Sequence, residues 1–140
     1  MTKKLAVFTA FIFVLASGCA WAQGQADRIT PDFDAPKTGH DPKHTPKITA
    51  PDSVKAGQWF DVTVEVGDEA RHPSFAEHFV RWIELSFDNV EIARTYLHPV
   101  YSSPKVTYTI ALKHSGTLQA REAPNHSAAW TATKKIEVTP

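Results

Sequence analysis

Two histidines lie six residues apart in the stretch Arg71-His72-Pro73-Ser74-Phe75-Ala76-Glu77-His78-Phe79-Val80-Arg81-Trp82-Ile83-Glu84-Leu85. His78 stands at the mouth of a strong strand pattern, and His72 lies on the loop that leads to it. Two imidazoles so placed can converge on one metal ion; they can equally be two surface histidines beside a sheet. The chain has seven histidines, at positions 40, 44, 72, 78, 98, 114 and 126. Its one cysteine, Cys19, falls in a segment read below as removed. Any metal ligands would then be imidazoles, with a carboxylate or water. Such a donor set suits iron, copper, zinc and nickel, so residue type alone does not select the metal. Other chemistries find no support. There is no G-x-S-x-G elbow, no glycine-rich phosphate loop, and no recognisable carboxylate pair for glycoside hydrolysis. Three histidines have weaker claims: His40 in a polar lead, His98 before Pro99 in a loop, and His114 in a turn beside Ser115-Gly116.

The elements that must position these groups are short strands. In the strand beginning near Phe79, Ile83, Leu85 and Phe87 fall on one face with Phe79, and Val80 and Trp82 on the other, so much of both faces should be buried. Before it, Phe60, Val62, Val64 and Val66 alternate with Trp59, Asp61, Thr63 and Glu65, the period-2 pattern of a strand with one buried face. Trp59 is expected to cap the sheet edge or lie under a loop. Further strands are expected at Lys47 to Ala50, Val90 to Leu97, Lys105 to Leu112, Thr117 to Arg121 and Ala129 to Val138, with Glu122 to Ala128 as a loop. No amphipathic helix pattern of useful length appears after the N-terminal segment. The expected fold is all-β, an immunoglobulin-like antiparallel β-sandwich of seven or eight strands.

With 140 residues, the chain has room for one domain. Residues 1–22 read as a secretory signal peptide. Lys3 and Lys4 supply the positive region, Leu5 to Ala16 is apolar apart from Thr9, and Ala20-Trp21-Ala22 is an A-x-A cleavage site. Cleavage after Ala22 predicts a periplasmic or secreted protein with no transmembrane span and no thiol. Lipoprotein processing at Cys19, where Ala16-Ser17-Gly18-Cys19 resembles a lipobox, is the lesser alternative. Residues 23–42, punctuated by Pro31, Pro36 and Pro42, read as a flexible lead, and residues 43–140 as the folded domain. The full chain carries 15 basic and 15 acidic side chains. Losing Lys3 and Lys4 leaves 13 against 15, so no basic field is available to attract nucleic acid.

Several spaced motifs bear a resemblance to one family. Lys43-His44-Thr45-Pro46-Lys47-Ile48 resembles the K-H-x-P-x-I start of superoxide reductases, the neelaredoxin and desulfoferrodoxin family. Val54-Lys55-Ala56-Gly57 followed by Phe60-Asp61-Val62-Thr63-Val64 is similar to that family's next strand. His72-Pro73, Glu77-His78 and Trp82-Ile83-Glu84-Leu85 are similar to its H-P-x-x-x-E-H…W-I-x-L segment, and Ser115-Gly116-Thr117-Leu118 resembles the turn before its ligand loop. The resemblance spans about residues 43 to 138.

It implies a sandwich with a mononuclear iron at one end, held by four equatorial histidines and an axial cysteine. It also implies superoxide as substrate, reduced to hydrogen peroxide with one electron from an external donor and two protons. By position, His44, His72 and His78 match three equatorial ligands, and Lys43 is the residue that would draw in the anion. The family's C-N-x-H-G-x-W loop corresponds to Pro124-Asn125-His126-Ser127-Ala128-Ala129-Trp130. Asn125 and Trp130 match; the cysteine position is Pro124 and the histidine position is Ser127. The fourth imidazole is expected to be His126, one residue early, in a rearranged loop. Three readings follow: a superoxide reductase, a metal-binding protein whose imidazoles take iron, copper or zinc, and a metal-free sandwich that has lost the site.

Overall fold

The computed structural model describes residues 36–140. The expected signal peptide, Cys19 and most of the expected lead lie outside the described residues. Eight strands follow in order: β1 (Pro46–Thr49), β2 (Ser53–Lys55), β3 (Trp59–Val66), β4 (Val80–Phe87), β5 (Val90–Tyr96), β6 (Lys105–Ala111), β7 (Gly116–Pro124) and β8 (Trp130–Thr139). They form two sheets, β1-β3-β6 and β2-β8-β7-β4-β5. This is the expected β-sandwich. Among the described strands one pairing departs from the antiparallel rule: β2, three residues long, runs parallel to β8.

Alternation in β3 buries Phe60, Val62, Val64 and Val66, and these meet Ile83, Leu85, Leu118, Ala120 and Ile136 from the other sheet. Trp59 neither caps an edge nor lies under a loop; it is 70% exposed at the start of β3, where its alternation points it away from the core. β4 is central, between β7 and β5, and is buried over much of both faces as its pattern predicts. Its hairpin to β5 turns on Asp88 (φ 48°) and Asn89 (φ 67°). Two positive φ values match the twist that a two-residue hairpin demands, and short polar side chains tolerate them.

Two local departures from the period-2 reading matter for the site. The ladder between β4 and β7 slips at Arg81: Val80 pairs with Pro124, while Trp82 pairs with Ala123. The extra residue brings Val80 round to the core with Ile83 and Leu85, rather than leaving it on the opposite face. Proline has no N–H to give the ladder, so a bulge opposite Pro124 sits where a regular bond would be missing anyway. β7 also runs on to Pro124 instead of ending near Arg121. Finally, the fold takes up part of the expected lead. The Lys37 amide donates to the Ala129 carbonyl (2.6 Å) and the Thr131 amide to the Lys37 carbonyl (3.1 Å), fixing this segment beside β8.

Candidate metal centre

Antiparallel pairing gathers the histidines. Pro46 at the start of β1 pairs with Val66 at the end of β3, and Val80 at the start of β4 pairs with Pro124 at the end of β7. Glu122, near that same end of β7, pairs with Trp130 at the start of β8. His44 therefore precedes β1, His72 follows β3, His78 precedes β4 and His126 follows β7, all at one end of the sandwich. One ring nitrogen from each of the four lies within 4.8 Å of one from every other.

Each histidine has a local anchor. His44 lies in a tight turn in which the Asp41 carboxylate accepts from the amides of Lys43 (2.8 Å) and His44 (3.1 Å). The loop after β3 grips this turn from below: the Ala70 amide donates to the Pro42 carbonyl (3.1 Å) and the Gly67 amide to that of Thr45 (3.2 Å). Gly67 has φ of 89°, and a Cβ there would run into the Ala70 carbonyl, so only glycine lets this loop close. His72 is tied back by its amide to the Val66 carbonyl (3.1 Å). His78 and Phe75 exchange two backbone bonds (3.1 and 2.9 Å), and their rings lie 5.5 Å apart. His126 follows Asn125, whose amide donates to the Phe79 carbonyl (3.0 Å).

The tautomers follow from the partners. His44 Nδ1 lies 3.0 Å from Asp41 Oδ1, His72 Nδ1 2.8 Å from the Pro73 carbonyl, and His126 Nδ1 3.2 Å from Asn125 Oδ1. All three partners are acceptors, so each Nδ1 carries the hydrogen and each Nε2 keeps its lone pair in the neutral ring. Those lone pairs are left facing one another. His44 Nε2 and His126 Nε2 are 3.0 Å apart. His72 Nε2 is buried with no hydrogen-bond partner. Bare nitrogens at such separations repel unless a cation lies between them, and the geometry fits a metal ion held by imidazoles.

Electrostatics favour the neutral rings. His72 is 1% exposed, and burial drives its pKa down to about 4; the Pro73 bond opposes this, and charge on His44, His78 or His126 would add to it. His78 is lowered by burial and then by His44 and Lys43, and His126 by burial and then by His78 and His44. The His78 and His126 rings stack with centroids 3.8 Å apart, which disfavours protonating both. Trp130 stacks on His44 with ring centroids 5.7 Å apart, and Lys37 Nζ lies 5.4 Å from the centroid of the Trp130 ring. Lys43 is exposed on the turn before His44. The remaining histidines stay apart: His40 pairs with Asp68 (3.0 Å) on the surface, His98 Nδ1 accepts from the amides of Val100 and Tyr101, and His114 is exposed against Phe87. Ser127, at the family's histidine position, bonds locally to the Ala128 carbonyl (3.1 Å).

Asp41 is the partner that residue spacing alone did not single out; the signal available was an Asp three residues before a candidate ligand, the spacing of an Asx-type turn. Glu122 is the other. It is fully buried on the core side of β7, and neither of its oxygens has a hydrogen-bond partner.

A family model described as desulfoferrodoxin matches residues 36–133. Neelaredoxin of Megalodesulfovibrio gigas is 31% identical over 112 residues, covering 67% of this chain and 86% of that protein. Among solved structures, the superoxide reductase (neelaredoxin) of Ignicoccus hospitalis is 45% identical with a TM-score of 0.64, covering 69% of this chain and 81% of that one. The superoxide reductase of Nanoarchaeum equitans is 28% identical with a TM-score of 0.63, covering 73% of this chain and all of that one (100%). On the strength of these matches and of the motifs that carry His44, His72 and His78, the chain belongs to the desulfoferrodoxin family.

Proposed function

We propose that this chain is an exported protein with a mononuclear metal centre held by His44, His72, His78 and His126, taking iron or copper and acting on superoxide. The observation that carries the metal reading is the shared tautomer: three Nδ1 atoms are tied to acceptors, which leaves three Nε2 lone pairs facing inward, one of them buried without a partner. Family membership supports iron; a donor set of imidazoles without thiolate suits copper and zinc as well. When bound, a redox-active ion supplies the one-electron step of superoxide reduction.

The chain's own residues then have separate tasks. The four imidazoles bind. Asp41 holds the proton on His44 Nδ1 and so orients that ring, the usual carboxylate–histidine arrangement behind a metal ligand. Lys43, exposed at the rim, attracts the superoxide anion. Each superoxide takes one electron from an external donor and two protons to become hydrogen peroxide. The Pro124 side chain has no ligand atom and residues 36–140 contain no cysteine, so this part of the chain would supply no thiolate electron density to a bound ion. Residues 1–22 support export to the periplasm or beyond.

The test is metal analysis of protein purified without a histidine tag, followed by a stoichiometric superoxide assay. One metal per chain, with one peroxide formed and one donor electron consumed per superoxide, is the expected result. A metal-free chain after growth with iron and copper, and no uptake on reconstitution, would leave only the metal-free sandwich.

A further inference from the structure

The one-residue displacement of His126 raises the question of what holds its ring. Asn125 supplies an answer. Its side chain closes on the backbone either side of His78: Oδ1 accepts from the Phe79 amide (2.9 Å), and Nδ2 donates to the Glu77 carbonyl (3.0 Å). Its own amide donates to the Phe79 carbonyl (3.0 Å). An amide N–H can only donate and a carbonyl can only accept, so these two backbone groups leave no freedom in which way the Asn125 amide points. With Oδ1 so directed, its 3.2 Å approach to His126 Nδ1 requires the hydrogen to be on Nδ1.

We propose that Asn125 is a positioning residue: by clasping the backbone on both sides of His78, it holds His126 in the Nδ1–H tautomer with Nε2 turned toward His44. One side chain thereby sets both the spacing of the His78 and His126 rings, 3.8 Å between centroids, and the atom that His126 offers to the cluster. This explains how a histidine one position early serves the site without a regular strand to aim it. The consequence for metal affinity rests on the proposed metal centre; the tautomer does not.

The experiment separates the two. Long-range 15N–1H spectra of the metal-free full chain at pH 8 report the tautomer of each histidine. His126 is expected as Nδ1–H in the wild type and in Asn125→Asp, which keeps the acceptor oxygen, and as a mixture in Asn125→Ala. A dominant Nε2–H form in the wild type overturns the proposal whatever the variants do, and so does an unchanged single tautomer in Asn125→Ala. Zn(II) titration against a competing chelator supplies the second readout. Asn125→Ala is expected to weaken binding by about 10–100-fold, the usual effect of losing a partner behind a ligand, and Asn125→Asp by less. Equal affinity in all three proteins would overturn the positioning role. If the wild type binds no zinc, iron or copper, the metal reading fails, and the spectra alone still judge Asn125. If Asn125→Ala does not fold, the wild-type and Asn125→Asp spectra decide.

Discussion

Replacing Glu122 with glutamine should remove a loss of stability that the metal-free wild-type chain shows as pH rises above neutrality. Burial pushes the Glu122 carboxyl up to about 9, with Asp41 adding to the rise and the Trp130 backbone N–H, near but outside hydrogen-bond geometry, and the Arg81 charge opposing it. In the unfolded chain the same group titrates near 4.5. Between those values the folded state binds more protons than the unfolded state, so stability falls as pH rises, by at most about 1.4 kcal/mol per pH unit. His72 has the opposite sign. Its folded value of about 4 lies below the unfolded 6.5, so its contribution grows with pH across that interval and is complete above it. Between about pH 4.5 and 6.5 the fall from Glu122 is opposed by the rise from His72 and from His78 and His126, whose values burial also lowers. Above that, only Glu122 still titrates, and the wild type should lose up to about 3 kcal/mol between roughly pH 6.5 and 8.5. That is a large share of the roughly 5–15 kcal/mol that a domain usually has. Glu122→Gln keeps the shape and removes the titration, so its stability should rise to about pH 6.5 and then stay level. Urea unfolding followed by tryptophan fluorescence, in the presence of a chelator, measures both profiles at equal m-value. Parallel profiles from pH 6.5 to 8.5 would show that Glu122 is ionised in the fold and has a partner, and the reasoning from its burial would be wrong.

Other outcomes concern the metal. Asp41→Ala removes the acceptor of His44 Nδ1 and should weaken metal binding by about 10–100-fold, while Asp41→Asn, which keeps an oxygen there, should lose less; chelator competition measures both. His126→Ala and His72→Ala should each cost at least as much as a lost partner of that kind, and unchanged affinity in His126→Ala beside a clear loss in His72→Ala would mean a three-histidine site. The iron- or copper-loaded chain beginning at residue 23 should show no intense thiolate-to-metal absorption, because residues 23–140 contain neither Cys nor Met. Such a band in exported protein would mean that Cys19 is retained and reaches the ion.

Alternation of apolar and polar residues was enough to place β3, β4 and β6, because a strand with one face in a core must repeat every second residue. It was also enough for the sandwich, since many short strands with frequent turns have few other ways to bury one modest core. His44, His72 and His78 could be named from motif and spacing because each sits beside the end of such a strand. What periodicity does not carry is the partner of a residue distant in the chain. The slip at Arg81 that turns Val80 inward lies opposite Pro124, which is 43 residues from Arg81 and has no amide to donate. The docking of Lys37 depends on the open backbone of Ala129 and Thr131. The inward turn of His126 depends on Asn125 reaching Glu77 and Phe79, and the isolation of Glu122 depends on the sheets closing over it. The residue types and the end of the sandwich at which they gather were thus written in the chain locally. Which nitrogen each ring offers, and which carboxyl is left without a partner, are set by hydrogen bonds and burial that exist only once the two sheets have packed.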